Sequence, residues 1–459
     1  MFTDTIVARS SGEANGAVGM IRLSGENAFA IADKVLKPRN AGSESFYPEP
    51  RRVYLGDILD NTGRRIDETV YVRYASPKSY TGDDMVEIFC HGNLVLIDLA
   101  IEQFIRHGAR MALPGEFTRR AFINGKIDLT QAESVQELIA AESEQQVKIA
   151  AEMLSGSFSD KVRQLREKLL LVIGWSEASI DFPEEEDATA HQHSELLERI
   201  ELVIIGVASL IDSYEEGKLI RNGIRVVIAG ETNAGKSSLM NALFEQEKSI
   251  VTPIHGTTRD VVEGTLTMRG VKVVFSDTAG IRTAKDIVEQ EGIKRTLNAI
   301  KHADIVLYLL DASKNCIIRD KKIWDSLSHT SSLYVINKID LVPPEKIPWL
   351  NEMPEDRLFI SAKDSVGIGE IKAFINQFIA EHLKKTQRAG YAVNQRHFQS
   401  LKAGYKSLCA GRDAVRKNES EECFVIYFKE AADSFAEILG EITADDVLNK
   451  IFAEFCIGK

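Results

Sequence analysis

One phrase limits this chain more than any other: Gly230 to Ser237 reads GETNAGKS, the full G-x-x-x-x-G-K-[ST] spacing. It stands directly after the apolar run Val226 to Ala229 and directly before SSLMNALF, a stretch of helical composition. A strand, a glycine-rich turn and a helix N-terminus in that order present backbone N–H groups and a positive dipole end to phosphate. Lys236 adds a point charge, and Ser237 a hydroxyl for Mg²⁺. The flanking text agrees. RVVIAG, VKVVFSD, ADIVLYLLDAS, LYVINKID and LFISAK are short apolar runs separated by helical stretches, the pattern of a parallel sheet covered on both faces.

Three further elements close successive strands of that block. DTAG, Asp277 to Gly280, follows VKVVFS; its carboxylate can hold a Mg²⁺-bound water and the Gly280 N–H can meet a γ-phosphate. NKID, Asn337 to Asp340, closes LYVI, and SAK, Ser361 to Lys363, closes LFI. Guanine exposes N1–H and N2–H₂ donors that one carboxylate, Asp340, can accept together, and adenine lacks that pair. Asn337 and the Ala362 N–H can address the other ring edge, while Lys338 can lie over the base. The four elements in order imply a guanine-specific nucleotide switch similar to the translation-factor branch of the GTPase fold.

The residue after DTAG is Ile281, which cannot orient a water. Asp286, Glu289 and Glu291 of DIVEQEG are the nearby carboxylates, and Arg259 and Arg282 the nearby guanidiniums. Asn233, inside the phosphate loop, can hold a monovalent cation beside the β and γ phosphates and so do the electrostatic work of an arginine finger. Glu231 and Thr232 carry no required ligand.

The rest of the chain divides by period. From Thr5 to about Arg110, TIVA, GMIRLSG, IDETVYVRYA and DDMVEIFC read as strands before a helix beginning near Leu94, an α+β module. From Leu129 onward apolar residues recur at spacings of three and four: Leu129 to Ile139, Val162 to Val172 and Leu196 to Tyr214, with Phe182 to Ser194 as a loop. After about Lys385 helical periodicity returns. It ends in a helix expected to start at Thr443, capped with Asp446, with Val447, Leu448, Ile451, Phe452 and Phe455 on one face. The α/β block thus interrupts a helical region whose two parts are each too short for a bundle and are expected to pack together.

Composition narrows the setting. No apolar run approaches the ~18 residues of a bilayer-spanning helix, since Leu202 to Ile211 is broken by Gly206 and Ser209. The amino terminus has an acid at position 4 and no apolar signal core, which argues for a cytoplasmic protein with no membrane role. Five scattered cysteines without a Cys-x-x-Cys pair argue against a disulfide framework or structural zinc. His191 and His193, beside EEED, lack further ligands and are assigned no role. A net charge of −12 argues against a broad grip on nucleic acid, which needs basic side chains.

The phosphate loop with Asn233, IVTPIHGTTRD (Ile250 to Asp260), SYTGDDMVEIFCHG, PGEFTRRAFINGKIDLTQAE and the terminal FCIGK together resemble the tRNA modification GTPase MnmE (TrmE) family over essentially the whole chain. The resemblance implies a multidomain α/β and α protein. Residues 1–125 would be an amino-terminal α+β folate-binding and dimerisation domain, 126–222 and 385–459 the two parts of a discontinuous helical domain, and 223–384 an inserted Ras-like P-loop GTPase domain with a mainly parallel sheet.

The resemblance also implies roles. GTP would be bound by Asn233, Ala234, Gly235, Lys236, Ser237 and Ser238; by Thr252, Pro253, Ile254, His255, Gly256, Thr257 and Thr258; by Asp277, Thr278, Ala279 and Gly280; and by Asn337, Lys338, Asp340, Ser361, Ala362 and Lys363. K⁺ would be held by Asn233, Thr252, Ile254 and Thr257, and Mg²⁺ by Ser237 and Thr258. Glu289, twelve residues after the DTAG aspartate, would orient the water. A 5-formyl- or methylene-tetrahydrofolate would lie on Arg22, Glu87, Lys126 and Lys459, and Cys456 would serve tRNA modification, although a cysteine ending an apolar helical face is more often a small buried hydrophobe. The implied partners are a second copy in a homodimer, the FAD-dependent MnmG protein in a heterotetramer, and tRNA modified at C5 of the wobble uridine. A ribosome-assembly or RNA-binding GTPase, and a folate-free GTP-gated scaffold, are the competing readings.

Overall fold

Strand alternation in the amino-terminal part becomes a seven-stranded sheet, and the apolar runs after Ile224 a six-stranded one. The computed structural model describes residues 4–12, 14–39, 48–181, 189–245, 263–277, 296–314, 321–328, 330–350, 353–354, 356–383 and 391–459. It divides into two compact units, Met1–Ile139 with Met153–Ile204 and Ser400–Lys459, and Ala140–Glu152 with Ile205–Gln399, each with its own sheet.

In the first unit the strands are β1 (Ile6–Arg9), β2 (Val18–Ser24), β3 (Leu36–Pro38), β4 (Val53–Leu59), β5 (Arg65–Tyr74), β6 (Met85–His91) and β7 (Arg110–Met111). Their order is β3-β4-β5-β6-β2-β1-β7, antiparallel except for the β1/β7 pair. Alternation decides what each face offers. Ile21 and Leu23 of β2, with Val86, Ile88 and Cys90 of β6, close an apolar core with the helices Ala28–Val35 and Leu94–Arg106. The intervening Arg22 and Glu87 therefore point to the opposite face, and the register sets them directly across from one another. The Asn93 side chain accepts the Leu96 N–H at 3.1 Å and starts the helix Leu94–Arg106.

The helix Ser157–Asp181, which precedes the second sheet in sequence, packs along Glu421–Leu439, which follows it. The helical domain is thus discontinuous. Leu129 and Ala132 bury against Leu448, Phe452 and Phe455 in a smaller cluster. Three local expectations need correction. The terminal helix is Asp445–Ala453, its N-cap is Ala444 without a side-chain cap, and the Thr443 hydroxyl finds no partner among the described residues, so the capping box does not form. Within the expected loop Phe182 to Ser194, residues 182–188 lie outside the described residues and helix begins at Thr189. The apolar stripe from Leu196 to Tyr214 spans two helices, Thr189–Asp212 and Tyr214–Asn222, broken at Ser213.

In the second unit the strands are β8 (Ile224–Gly230), β9 (Glu263–Met268), β10 (Val271–Asp277), β11 (Ile305–Asp311), β12 (Ser331–Asn337) and β13 (Arg357–Ile360), in the order β13-β12-β11-β8-β10-β9. All neighbours are parallel except the β9/β10 hairpin. Every residue of β11 is buried, as a central strand covered on both faces requires. Because the sheet is parallel, β8, β10, β11, β12 and β13 all end on one edge, where ligands of such sheets sit. Among the described residues no helix is long and apolar enough to cross a membrane.

Candidate functional site

At the edge where β8 ends, the chain turns through Gly230 at φ 144°, Asn233 at φ 65° and Gly235 at φ 99° before the helix Lys236–Glu245 begins. Only glycine enters the first and third of these conformations cheaply, and asparagine tolerates the second. Lys236 is buried, and its ammonium donates to the carbonyls of Gly230 and Glu231, both at 2.8 Å. The amide of Asn233 and the hydroxyls of Ser237 and Ser238 belong to exposed residues at the same turn. Oxygen donors of this kind suit hard cations, so Asn233 and Ser237 fit K⁺ and Mg²⁺.

Asn337, 2% exposed at the end of β12, holds this edge together. Its Nδ2 donates to the Ala234 carbonyl at 2.8 Å and its Oδ1 accepts the Ala362 N–H at 3.0 Å. The amide and the Ala362 N–H that were expected to address the base thus satisfy each other, and Asn337 ties the phosphate loop to the SAK turn. Lys338, at φ 70°, is fixed by a 2.7 Å ion pair with Asp311, the buried last residue of β11. Burial pushes the Asp311 carboxyl up, but hydrogen bonds from Lys338 and Ser313 outweigh it and leave it below its ordinary value. The carboxylate of Asp340 is on an exposed residue, with Oδ1 3.0 Å from Ser361 Oγ, and remains free to accept the donor edge of guanine. Asp311 was missed in the sequence; the acid that ends the wholly apolar LYLL run was its signal. Asp277 ends β10 in register with Ile228 of the phosphate-loop strand. Thr252 to Thr258, expected to supply K⁺ and Mg²⁺ ligands, Thr278 to Gly280 and Glu289 lie outside the described residues.

The first unit carries a second site. On the face of the sheet opposite the core, a cavity of about 460 Å³ is lined by Arg22, Glu87 and Lys126, three of the four residues expected to hold a folate. Glu87 Oε1 accepts from Arg22 Nη2 at 2.8 Å and Nε at 3.2 Å, with both side chains nearly buried at 12% and 13% exposure. β6 is a central strand, so Glu87 is not a solvated edge residue. The Arg22 guanidinium lies 5.1 Å from the Tyr80 ring centre and 5.7 Å from that of Phe117, which fix its orientation. Burial raises the Tyr74 hydroxyl pKa, and the Glu87 charge raises it further.

The PGEFT segment explains how this wall is built. Glu116 begins the helix Glu116–Ile123 and reaches back to the Leu113 N–H at 2.8 Å while holding Arg110 at 2.6 Å and Arg120 at 3.0 Å. Arg120 is wholly buried and also donates to Asp4. Thr118, two residues on, lies 2.9 Å from the Tyr80 hydroxyl. The terminal CIGK docks on the same segment: Gly115 N–H donates to the Cys456 carbonyl at 3.4 Å, Phe117 N–H to the Lys459 carbonyl at 3.2 Å, and Ser10 to the Gly458 carbonyl at 2.7 Å. Gly458 has φ 96°, and a Cβ there would strike the Arg9 carbonyl. Burial lowers the Lys459 pKa and the nearby Arg22 charge lowers it further, against opposing influences from Cys456 and Glu87. Lys459 is thus close enough to the cavity's charged pair to feel both its members. Cys456 lies beyond the end of the terminal helix and is exposed, not buried as its place in the sequence suggested. A cavity pairing an arginine with a nearly buried carboxylate, beside lysine and tyrosine, fits the donor and acceptor edges of a pterin.

The model of the MnmE helical domain matches residues 129–456, and that of the GTP-binding protein TrmE N-terminus matches residues 5–126. The chain is 39% identical over 457 residues to a tRNA modification GTPase MnmE of Aquifex aeolicus, covering 99% of this chain and 100% of that one. It is 36% identical over 469 residues to one from Carboxydothermus hydrogenoformans, covering 100% of both. Among solved structures, a variant of Aquifex aeolicus Era bound to GDP·AlF₄⁻ shares 29% identity over 34% of this chain and 56% of that one, with a TM-score of 0.28.

Proposed function

The chain belongs to the tRNA modification GTPase MnmE family and is a GTP hydrolase acting in tRNA modification, and from that premise we propose a K⁺-activated enzyme that works with FAD-dependent MnmG. Together they add an aminomethyl or carboxymethylaminomethyl group at C5 of the wobble uridine, position 34, of certain tRNAs. The carrying observation is the amino-terminal cavity, where Arg22 and Glu87 form a nearly buried pair beside Lys126 and within electrostatic reach of Lys459.

In this reading residues 1–125 bind the folate and make the homodimer, 126–222 and 385–459 form the helical domain, and 223–384 hydrolyse GTP. Lys236 exchanges its carbonyl partners for phosphate oxygens, Asp340 accepts the guanine donors, and Asn337 keeps the phosphate loop in register with the base-binding turns. Asn233 with Thr252, Ile254 and Thr257 would hold K⁺, which supplies positive charge beside the β and γ phosphates. Ser237 and Thr258 would hold Mg²⁺, and Glu289 would orient the water. Arg22, Glu87, Lys126 and Lys459 would hold a tetrahydrofolate, the one-carbon donor, with Cys456 exposed at the neighbouring turn. With −12 net charge, the chain leaves much of the basic surface for tRNA to its partner. The protein acts in the cytoplasm.

Equilibrium binding of 5-formyl-tetrahydrofolate tests this reading. The parent protein binds it and an Arg22→Ala variant does not; no binding to the parent removes the folate half of the proposal.

A further inference from the structure

The cavity that holds the Arg22–Glu87 pair carries more positive charge than that pair uses. Four cations line it, Arg22, Arg51, Lys78 and Lys126, against the single carboxylate of Glu87, which is spent on Arg22. Arg51, Lys78 and Lys126 are exposed, and among the described residues none of the three is paired with a carboxylate. Two of them are nonetheless held in place. Arg51 Nη2 donates to the Lys78 carbonyl at 3.2 Å and Lys126 Nζ to the Pro77 carbonyl at 2.9 Å, so the turn at residues 77 and 78 is clamped from both sides. Arg51 also has φ 63°, with its N–H donated to the Arg73 carbonyl at 2.7 Å. A non-glycine residue held in the left-handed region by its surroundings is a costly way to place a side chain.

Resting on the folate reading of this cavity, we propose that Arg51 and Lys78 form a subsite for the anionic tail of the ligand, and that the preferred substrate class is a tetrahydrofolate carrying several γ-linked glutamates. With the pterin edge on Arg22 and Glu87, the p-aminobenzoyl-glutamate end leads to the rim. There a monoglutamate offers two carboxylates to three unpaired cations, and each further glutamate adds one more. The guanidinium fork of Arg51 grips a carboxylate from two N–H groups, and Lys78 adds a mobile point charge. The rim is solvated, so the preference is moderate and falls with salt.

Isothermal titration of the full-length protein with 5-formyl-tetrahydrofolate in its mono- and triglutamate forms tests this. The triglutamate binds about five- to tenfold more tightly at low salt, and the ratio shrinks as ionic strength rises. An Arg51→Asn/Lys78→Gln double variant, which keeps a residue tolerant of the left-handed conformation, brings the ratio to about one while keeping the parent's circular dichroism spectrum and a cooperative unfolding transition. Arg51→Lys, which keeps the charge but loses the fork, retains only part of the preference. Equal affinities in the parent, or an undiminished ratio in the double variant, overturn the tail subsite and leave the folate reading standing. Failure of both forms to bind the parent overturns the folate reading and the subsite with it.

Discussion

Asn337 donates its side-chain amide to the carbonyl of Ala234 at 2.8 Å, joining the end of β12 to the glycine-rich turn that follows β8. Its oxygen takes the Ala362 N–H at 3.0 Å, so one buried side chain sets the spacing of three turns. Asn337→Ala removes both bonds and leaves two backbone groups unpaired, at about 1–3 kcal/mol for each group left unsatisfied. The expected outcome is a melting temperature lowered by several degrees and guanine-nucleotide affinity weakened by roughly tenfold or more. Fluorescent-GDP titration and calorimetry check it, and an Asn337→Ala protein with parental affinity would assign the residue no part in nucleotide binding.

The buried network at Glu116 is expected to weaken in acid. Burial raises the Glu116 pKa, but hydrogen bonds from Arg110, the Leu113 N–H and Arg120 outweigh it and leave the pKa lowered in the folded chain. A folded pKa below the unfolded one means the stabilisation is full above the unfolded carboxylate range, near ~4.3, and is lost as pH falls through the folded value. Glu116→Gln breaks this pairing at a cost of about 3 kcal/mol at neutral pH. Urea unfolding at pH 7 and at about pH 4 should show the difference between parent and variant narrowing in acid. A difference that does not change with pH contradicts the account.

Lys459 is expected to act through its charge. Its lowered pKa, caused first by burial and then by Arg22, means that it deprotonates below the ordinary lysine range of ~10.4. Binding of the anionic folate is therefore full at neutral pH and weakens on the alkaline side before an exposed lysine would titrate. Lys459→Arg keeps the charge and removes that alkaline limb; a parent binding curve flat to the exposed-lysine range would show the residue to be uncoupled from the ligand.

For hydrolysis, Glu289→Ala retains nucleotide binding and loses about 100-fold or more in turnover, the usual worth of a group that orients or deprotonates a nucleophile. Turnover in K⁺ exceeds that in Na⁺ at equal ionic strength, and Asn233→Ala removes the difference. Equal rates in the two salts would sink the cation role of Asn233.

Much of this was legible in the sequence because local chemistry wrote it there. The phosphate loop reads from glycine spacing after a strand, and Asp277, Asn337 and Ser361 from their places at strand ends. Arg22 and Glu87 were named by the family resemblance and not by the residue pattern, and the β2/β6 register sets them opposite one another. What sequence did not reveal depends on contacts between distant residues. The roles of Arg51 and Lys78 arise because the turn at residue 77 folds beneath Arg51, and Asn337 faces inward because Ala362 and Ala234 converge on it. β3 and β4 were also missed, the first being three residues long and the second interrupted at its centre by Gly56. Thr443 satisfied a capping pattern that the chain passes over, since the terminal helix begins where Leu448 and Phe452 can bury.

The central claim, that the amino-terminal cavity feeds a one-carbon unit into tRNA modification driven by GTP hydrolysis, is tested most directly by reconstitution. Full-length protein, MnmG, unmodified tRNA, methylene-tetrahydrofolate, GTP and K⁺ are combined, and the nucleosides are analysed by mass spectrometry. The account predicts a C5-modified wobble uridine with the parent protein and none with Arg22→Ala, whose GTP hydrolysis remains within about twofold of the parent because the two sites use separate residues. Full modification by Arg22→Ala, or no modified nucleoside with the parent protein, would contradict it.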